Sequence, residues 1–331
     1  MTRTSVGADV PVKPTLYRHP HGITAVDSEY LYPGHAAAHL IADSGHAAFV
    51  DVGTNSSVPY LLAALDELGI ARSAVDYLLL THVHLDHAGG AGTLMRALPN
   101  ARALLHPRGA PHMTDPAKLV AGAEVVYGAA RFREMYGELV PIPAGRVQTV
   151  QDGERVELGG RSLTFLHTPG HARHHYVVVD EAHRCIFTGD TFGISYRALD
   201  TEKGAFIIPS ATPTQFDPEA HLASVDRMLG YDPESMYLMH FSRVTGVPRL
   251  ARLLKEQIAE LARIARGHAD DAAPAAGIRA DMLALWLQLA RREGSRLPDA
   301  ALAKALDGDL TLNTQGLISW LERGRKTTVQ P

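Results

Sequence analysis

Thr81-His82-Val83-His84-Leu85-Asp86-His87 follows directly on the apolar-rich run 75–80, and Gly89-Gly90 stands behind it. The run predicts a strand buried on both faces. A buried strand that ends in His82, His84, Asp86 and His87 has no purely structural use. In extended chain, alternation turns His82 and His84 to one side. The chain must then curl to bring Asp86 and His87 to a neighbouring point, and the glycines predict the bend there. Two adjacent ligand pairs point to two metals sharing one site, about 3.5–4 Å apart in such centres.

Two metals need further ligands, and three other predicted strand ends offer them. His171 lies in HTPGH, where Pro169-Gly170 forces a turn after the strand text 163–166. Asp190 ends FTGD behind a glycine, and His240 ends MYLMH. The expected assignment is one metal on His82, His84 and His171 and a second on Asp86, His87 and His240, with Asp190 bridging. Asp51, which ends its own apolar run in FVDVG, is the carboxylate expected to orient the ligand loop.

Working outward, the text from 22 to 245 alternates strand and helix signals in two rounds. Helices are expected from Ser56 or Ser57 to about 68, at 92–98, through 117–136 and at 218–229. Strands are expected at 101–105, through 146–190 and at 236–240. This order fits two β-sheets with helices packed outside. After Gly246 the text turns helical: 250–264 keeps a helical period, AAPAAG at 272–277 reads as a breaker, and 280–292 and 300–306 read as helices. The chain is therefore expected to divide into a catalytic domain, 1–245, and a helical C-terminal extension, 246–331.

Composition bounds the chemistry. The 331 residues are 46% hydrophobic and 21% charged, which excludes a disordered chain. One cysteine, Cys185, beside 18 histidines excludes an internal disulfide and a multi-cysteine metal site, so any metal is held by imidazole and carboxylate. A net charge of −4 argues against a general nucleic-acid coat protein. Residues 1–20 have no apolar leader core, and Pro11 and Pro14 break any helix there; no run is long enough for a membrane span. A cytoplasmic protein is expected. The helix around Trp286 is apolar nearly all round and packs either on the core or as a homodimer face. His19, His21, His35, His39, His46, His183 and His268 read as surface or turn residues and His221 as helix packing, while His167 reads as a donor behind the ligands or a strand terminus, and His174 or His175 as cleft lining or a strand-start polar residue.

At His82, His84, Asp86 and His87 the chain matches the HxHxDH signature of the metallo-β-lactamase-fold hydrolases. His171, Asp190 and His240 match the later ligands of that family, and the resemblance covers residues 23–243. It implies an α+β fold, a four-layer αββα sandwich with the metals in a cleft at one edge. True β-lactamases of this fold usually carry Cys at the position of Asp190 and lack the His after Asp86, so the resemblance implies another native role. A closer likeness, in HPRGA and His112 (106–112), TPGHA with His174-His175, and FDPE (216–219), is to a largely uncharacterised prokaryotic branch of phosphotriesterase-like and small-molecule hydrolases.

The ligand set predicts chemistry. Two divalent cations sharing a water lower its pKa from 15.7 towards ~7 and give a bridging hydroxide. Asp86 would orient that hydroxide's proton, and Asp86 and Asp190 are the expected catalytic carboxylates. The imidazole and carboxylate donors favour Zn2+, with Fe and Mn as alternatives. The expected substrate is a small carboxylic ester, thioester, lactone or phosphotriester. His106, Tyr196 and Arg197 are the candidates for its pocket, the last two because they sit in the long loop after Asp190. The rival readings are a nucleic-acid phosphodiesterase and an iron-dependent thiol dioxygenase. For the first, Arg249, Arg252, Lys255, Arg263 and Arg266 would be the basic surface, but Glu256 and Glu260 dilute it, so no nucleic-acid partner is expected.

Overall fold

Period-two alternation along the strands sends successive side chains into two different cores, and that builds the layers. A computed structural model of the chain describes residues 12–211 and 214–328; residues 1–11, with Pro11, lie outside the described residues. One sheet runs in chain order: β1 (Leu16–Arg18), β2 (Ile23–Asp27), β3 (Ala37–Asp43), β4 (His46–Val50), β5 (Val75–Leu79), β6 (Arg102–Leu105) and β7 (Val147–Thr149). Its first three pairings are antiparallel, and β4 to β7 are parallel. The other sheet has the order β13-β12-β11-β10-β9-β8. Its strands are β8 (Arg155–Leu158), β9 (Arg161–His167), β10 (Tyr176–Asp180), β11 (Cys185–Gly189), β12 (Ser235–Leu238) and β13 (Ser242–Thr245).

Ile41, Val50, Leu79 and Leu104 of the first sheet meet Leu163, Phe165, Tyr176, Val178 and Phe187 of the second, filling the space between them. The alternate residues Leu40, Phe49, Leu78 and Leu105 face outward onto Leu61 and Leu65 of α1 (Val58–Leu68) and Leu94 of α3 (Ala91–Ala97). On the opposite side Leu166, Val177, Val179 and Ile186 face Val225 of α7 (Pro218–Leu229) and Leu250, Leu254 and Leu261 of α8 (Val247–Gly267). The result is the expected α+β sandwich, helices outside two mixed sheets, with a C-terminal helical extension.

That extension continues with α9 (Pro274–Arg292), α10 (Asp299–Ala305) and α11 (Asp307–Thr328). Trp286, Leu302, Leu310 and Leu317 belong to the same apolar cluster as the second sheet, so Trp286 packs within its own chain. Among the described residues no helix is long and apolar enough to cross a membrane.

Several sequence expectations need correction. The single helix expected over 117–136 is two, α5 (Ala117–Tyr127) and α6 (Ala129–Tyr136), because Gly128 sits at φ 79°, ψ 145°. AAPAAG is no breaker: Pro274 opens α9, at a position whose amide hydrogen has no helical partner to lose. Helix α11 and the short α4 (Ala110–Thr114) were not anticipated. His39 is no surface residue; it is 2% exposed, on β3, with its ring against Phe187 and Tyr237. The turn after His84 also works differently. His84 caps the one-turn helix α2 (Leu85–Ala88), and Gly89 and Gly90 keep ordinary negative φ. Gly90 is needed for closeness, since a Cβ there would lie 2.5 Å from the Thr54 carbonyl oxygen.

Candidate metal centre

Loops at one edge of both sheets bring the seven ligand-type side chains together. His82 and His84 leave β5 in extended chain, and α2 then rotates Asp86 and His87 toward the same point. His171 follows β9, Asp190 follows β11 and His240 follows β12. The approach to Asp190 requires glycine: Gly189 has φ 46°, and a Cβ there would lie 2.5 Å from Thr81 Oγ1 and 2.7 Å from His175 Nε2.

Three overlapping groups result, His82–His84–His171, His82–His87–Asp190 and Asp86–His87–His240, each with donor atoms within 4.8 Å of one another. His84 Nδ1 lies 2.9 Å from His82 Nε2 and 3.0 Å from His171 Nε2. His240 Nε2 is 3.3 Å from Asp86 Oδ2. Asp190 stands between the groups, with Oδ1 3.2 Å from His87 Nε2 and Oδ2 3.6 Å from His171 Nε2. A tetrahedral ion with bonds of 2.0–2.1 Å holds its donors roughly 3.3 Å apart, so these spacings suit a shared cation. Two atoms make the same point: His87 Nε2 and Asp190 Oδ1 are buried, face each other and hydrogen-bond to nothing. Buried polar atoms without partners are costly, and a cation between them would satisfy both. His84 and Asp86 are the partly exposed members, so the cluster opens to solvent on their side.

The outward nitrogens are held as the ligand role requires. His87 Nδ1 donates to Asp51 Oδ2 at 2.9 Å, and Asp51 Oδ1 accepts from the Thr81 amide at 2.9 Å. Asp51 thus ties the ligand loop to β4. His171 Nδ1 donates to the Ser210 carbonyl at 3.0 Å and His240 Nδ1 to the His35 carbonyl at 2.9 Å. The Thr81 hydroxyl, which donates to Asp51, accepts from His82 Nδ1 at 3.1 Å.

Charge follows the same pattern. Burial, reinforced by the neighbouring imidazoles, holds His82 and His84 well below the usual histidine pKa, which keeps them neutral. Burial also lowers His171. For Asp86 and Asp190 burial acts upward, but His87 outweighs it, with His240 beside Asp86 and His171 beside Asp190, and both carboxyls end below their usual range. For His87 burial acts downward and is overcome by Asp190, Asp51 and Asp86, which raise it well above the ordinary value. The site asks for positive charge at its centre.

The pocket candidates fare differently. Tyr196 is 5% exposed, its ring stacks on His35 at 5.2 Å, and its hydroxyl donates to Asp309 Oδ1 at 3.3 Å. Its ring is 6.4 Å from that of His240. His106 stays outside the cluster, its ring tilted against that of His167 with centroids 4.1 Å apart. Arg197 also stays outside, because its guanidinium folds back onto the Ser195 carbonyl and hydroxyl. His221 is fully buried and donates to the Thr191 carbonyl, as helix packing.

Sequence reasoning missed several contributors. Ser210 and His35 act through backbone carbonyls, which no residue type advertises. Asp309 and Asn313 reach in from α11. His175, fully buried, touches Asp190 through its amide, which donates to His175 Nε2 at 3.3 Å. His174 is 7% exposed, and its ring is 5.7 Å from that of His84, so it walls the cleft. The pair His174-His175 beside His171 was the one usable signal.

Known proteins place this geometry in context. The chain is similar to the metallo-beta-lactamase fold-containing protein ST1585 of Sulfurisphaera tokodaii, 29% identical over 225 residues, which are 66% of this chain and 77% of that one. The solved ST1585 structure overlays with a TM-score of 0.59 and 26% identity, over 73% of this chain and 86% of that one. The metallo-beta-lactamase family protein TTHA1429 of Thermus thermophilus shares the fold over 94% of this chain and 92% of its own, with a TM-score of 0.61 and 21% identity. A hydroxyacylglutathione hydrolase of Aeromonas hydrophila is 32% identical over 152 residues, but these are 46% of this chain and 44% of that enzyme. The metallo-beta-lactamase superfamily itself matches over residues 31–240. That span takes in every clustered donor from His82 to His240 and well over half of the sequence; the chain belongs to the metallo-beta-lactamase superfamily.

Proposed function

We propose that this chain is a two-metal hydrolase of a small ester-like substrate. The observation that carries the reading is Asp190, whose two oxygens face two different imidazole groups, as a bridging carboxylate's must. One cation would be held by His82, His84 and His171 and the other by Asp86, His87 and His240, with Asp190 shared. Neutral imidazole and carboxylate donors without sulfur suit Zn2+, and Fe and Mn use the same donors. Bound there, two divalent cations supply a water acidified towards pH ~7 and a Lewis acid for the substrate's carbonyl or phosphoryl oxygen.

The chain's own residues do the rest. Asp86, at the solvent-facing side, orients the attacking water by accepting a hydrogen bond from it. Asp51 keeps the proton of His87 on Nδ1 and leaves Nε2 free as a donor atom. Ser210 Oγ donates to Asp190 Oδ2 at 3.2 Å and fixes the plane of that carboxylate. His174, its ring 5.7 Å from that of His84, and Tyr196, its ring 6.4 Å from that of His240, would wall the cleft on two sides.

The substrates in view are carboxylic esters, lactones, thioesters and phosphotriesters, the last from the likeness to the phosphotriesterase-like branch. The relatives named hydroxyacylglutathione hydrolases make an acylated glutathione the first thioester to test. A carboxylate at Asp190, where β-lactamases of this fold usually carry cysteine, supports a role other than β-lactam hydrolysis. A small molecule is favoured over nucleic acid because three of the five basic residues named on α8 are paired with acids: Arg249 with Glu293 at 2.7 Å, Lys255 with Asp226 at 2.5 Å and Arg263 with Glu260 at 2.7 Å.

The test is metal analysis followed by a hydrolysis panel over the four ester classes, with a β-lactam and a single-stranded RNA as further arms. Hydrolysis of at least one ester class, abolished by chelator and restored by Zn2+, is expected. Iron as the dominant metal with oxygen uptake on thiols, or turnover of RNA alone, would overturn the reading.

A further inference from the structure

The metal centre draws on α11, although that helix lies more than sixty residues beyond the last clustered donor. Asn313 is 2% exposed, and its Oδ1 accepts from the Ala211 amide at 2.5 Å, across 102 residues of sequence. The Ala211 N–H and the Ser210 carbonyl belong to one planar peptide group. That carbonyl accepts from His171 Nδ1 at 3.0 Å. A single rigid unit therefore runs from Asn313 through the 210–211 peptide to His171. The Ser210 side chain extends it, since its hydroxyl donates to Asp190 Oδ2. Asn313 is itself held, its Nδ2 donating to the Asp309 carbonyl one turn back at 2.8 Å. Asp309 in turn accepts from Tyr196, whose ring stacks on His35, and the His35 carbonyl holds His240.

We infer that Asn313 is a positioning residue of the metal centre, acting through the Ser210–Ala211 peptide on His171 and Asp190, and that α11 is in this sense part of the site. An isolated loop peptide could rotate and take its carbonyl away from His171. With its N–H captured, the carbonyl stays aimed at Nδ1, the imidazole keeps its proton there, and Nε2 stays free toward the shared cation. In a buried setting the two hydrogen bonds at opposite ends of one peptide also polarise each other. The inference rests on the two-metal reading of the cluster.

The test uses Asn313→Ala and Asn313→Asp in the full chain. Co2+ and Zn2+ affinities are measured by chelator competition, the Co2+ d–d spectrum is recorded, and the Tm of each metal-free protein is taken. Alanine removes the acceptor, so the cation beside His171 should bind about tenfold more weakly, with an altered Co2+ spectrum, while the other cation is retained. Aspartic acid keeps an acceptor for the Ala211 amide whether or not it is ionised. It should restore affinity and spectrum even if its Tm falls. Asn313→Ser, with a hydroxyl too short to reach Ala211, replaces alanine should that variant not fold. Wild-type affinity and spectrum in the alanine or serine variant would overturn the inference, as would affinities that simply follow Tm across the set. A wild-type chain that takes up no Co2+ would instead overturn the two-metal reading, and this inference with it.

Discussion

Asp51→Asn is the sharpest probe of how the centre is held, because it changes one proton's address and little else. Asp51 sits at φ 54°, a left-handed conformation that asparagine tolerates well, so the backbone has no reason to move. The asparagine carbonyl can take over from Oδ1, which accepts the Thr81 amide at 2.9 Å. Its NH2 group then replaces Oδ2 opposite His87 Nδ1, 2.9 Å away. Two donors now face each other. The clash is relieved if the His87 proton moves to Nε2, the atom that faces Asp190 Oδ1 at 3.2 Å and is needed for the cation. The lost bond is charge-assisted and lies between side chains 2% and 0% exposed, so solvent does not screen it. Such bonds are worth about 1.5–3 kcal/mol, and at 1.4 kcal/mol per decade the cation on His87 should bind about ten to a hundredfold more weakly. The cation on His82, His84 and His171 should change far less. Stepwise Zn2+ titration against a competing chelator, repeated across pH 6.5–8.5, reads both sites. Equal wild-type affinity at both sites, or a loss spread evenly over both, would refute the account of Asp51.

Asp190→Ala should lower the content of both metals and the turnover together, read by elemental analysis beside the hydrolysis assay; unchanged metal stoichiometry would end the bridging assignment. Asp309→Asn addresses a buried carboxyl pushed up to about 6 by burial, which the nearby His240 and the Tyr196 hydroxyl only partly offset. A carboxyl raised above its usual 3.8 stabilises the fold when protonated, so its contribution is complete below 3.8 and lost as pH climbs through 6. About two pKa units correspond to ~3 kcal/mol, and Asp309 is only 9% exposed. The asparagine variant keeps an acceptor for Tyr196 and should therefore gain several degrees of Tm at pH 7, and nothing at pH 4, in chelator-treated protein. Parallel melting curves for variant and wild type between pH 4 and 8 would refute this.

The clustering of the donors was legible because a donor that follows a buried strand is fixed by local geometry. His82 to His87 occupy one strand end and one helical turn, and His171, Asp190 and His240 each end a run with a plain apolar signature. The same logic placed Asp51, whose carboxylate lies at the end of β4 beside the ligand loop. The two-sheet fold was legible for a related reason: runs buried on both faces, with turn residues between them, leave few alternatives. What stayed hidden depends on pairings across the chain. Asn313 meets Ala211, and Asp309 meets Tyr196, over more than a hundred residues, on a helix whose text, DGDLTLNTQGLISWLERGRKTT, has breakers at its start. A loop position says that a side chain is near a site and not which way it turns; Arg197 turns onto its own neighbour Ser195.

The hidden and the legible parts meet in one question of charge. Asp51, Asp86 and Asp190 place three carboxylates around His87, and Asp51 and Asp190 are almost wholly buried. Uncompensated, each buried charge would cost several kcal/mol. The three histidines on the other side do not compensate it, since burial keeps His82, His84 and His171 toward their neutral form, and only His87 and His240 are raised toward the charged one. Hydrogen bonds account for Asp51 through Thr81 and His87, and for one oxygen of Asp190 through Ser210. Asp190 Oδ1 and His87 Nε2 remain, facing each other without a hydrogen bond. Holding that gap open, with Asp51 behind one wall and the Asn313-anchored peptide behind another, makes physical sense when cations complete the charge balance.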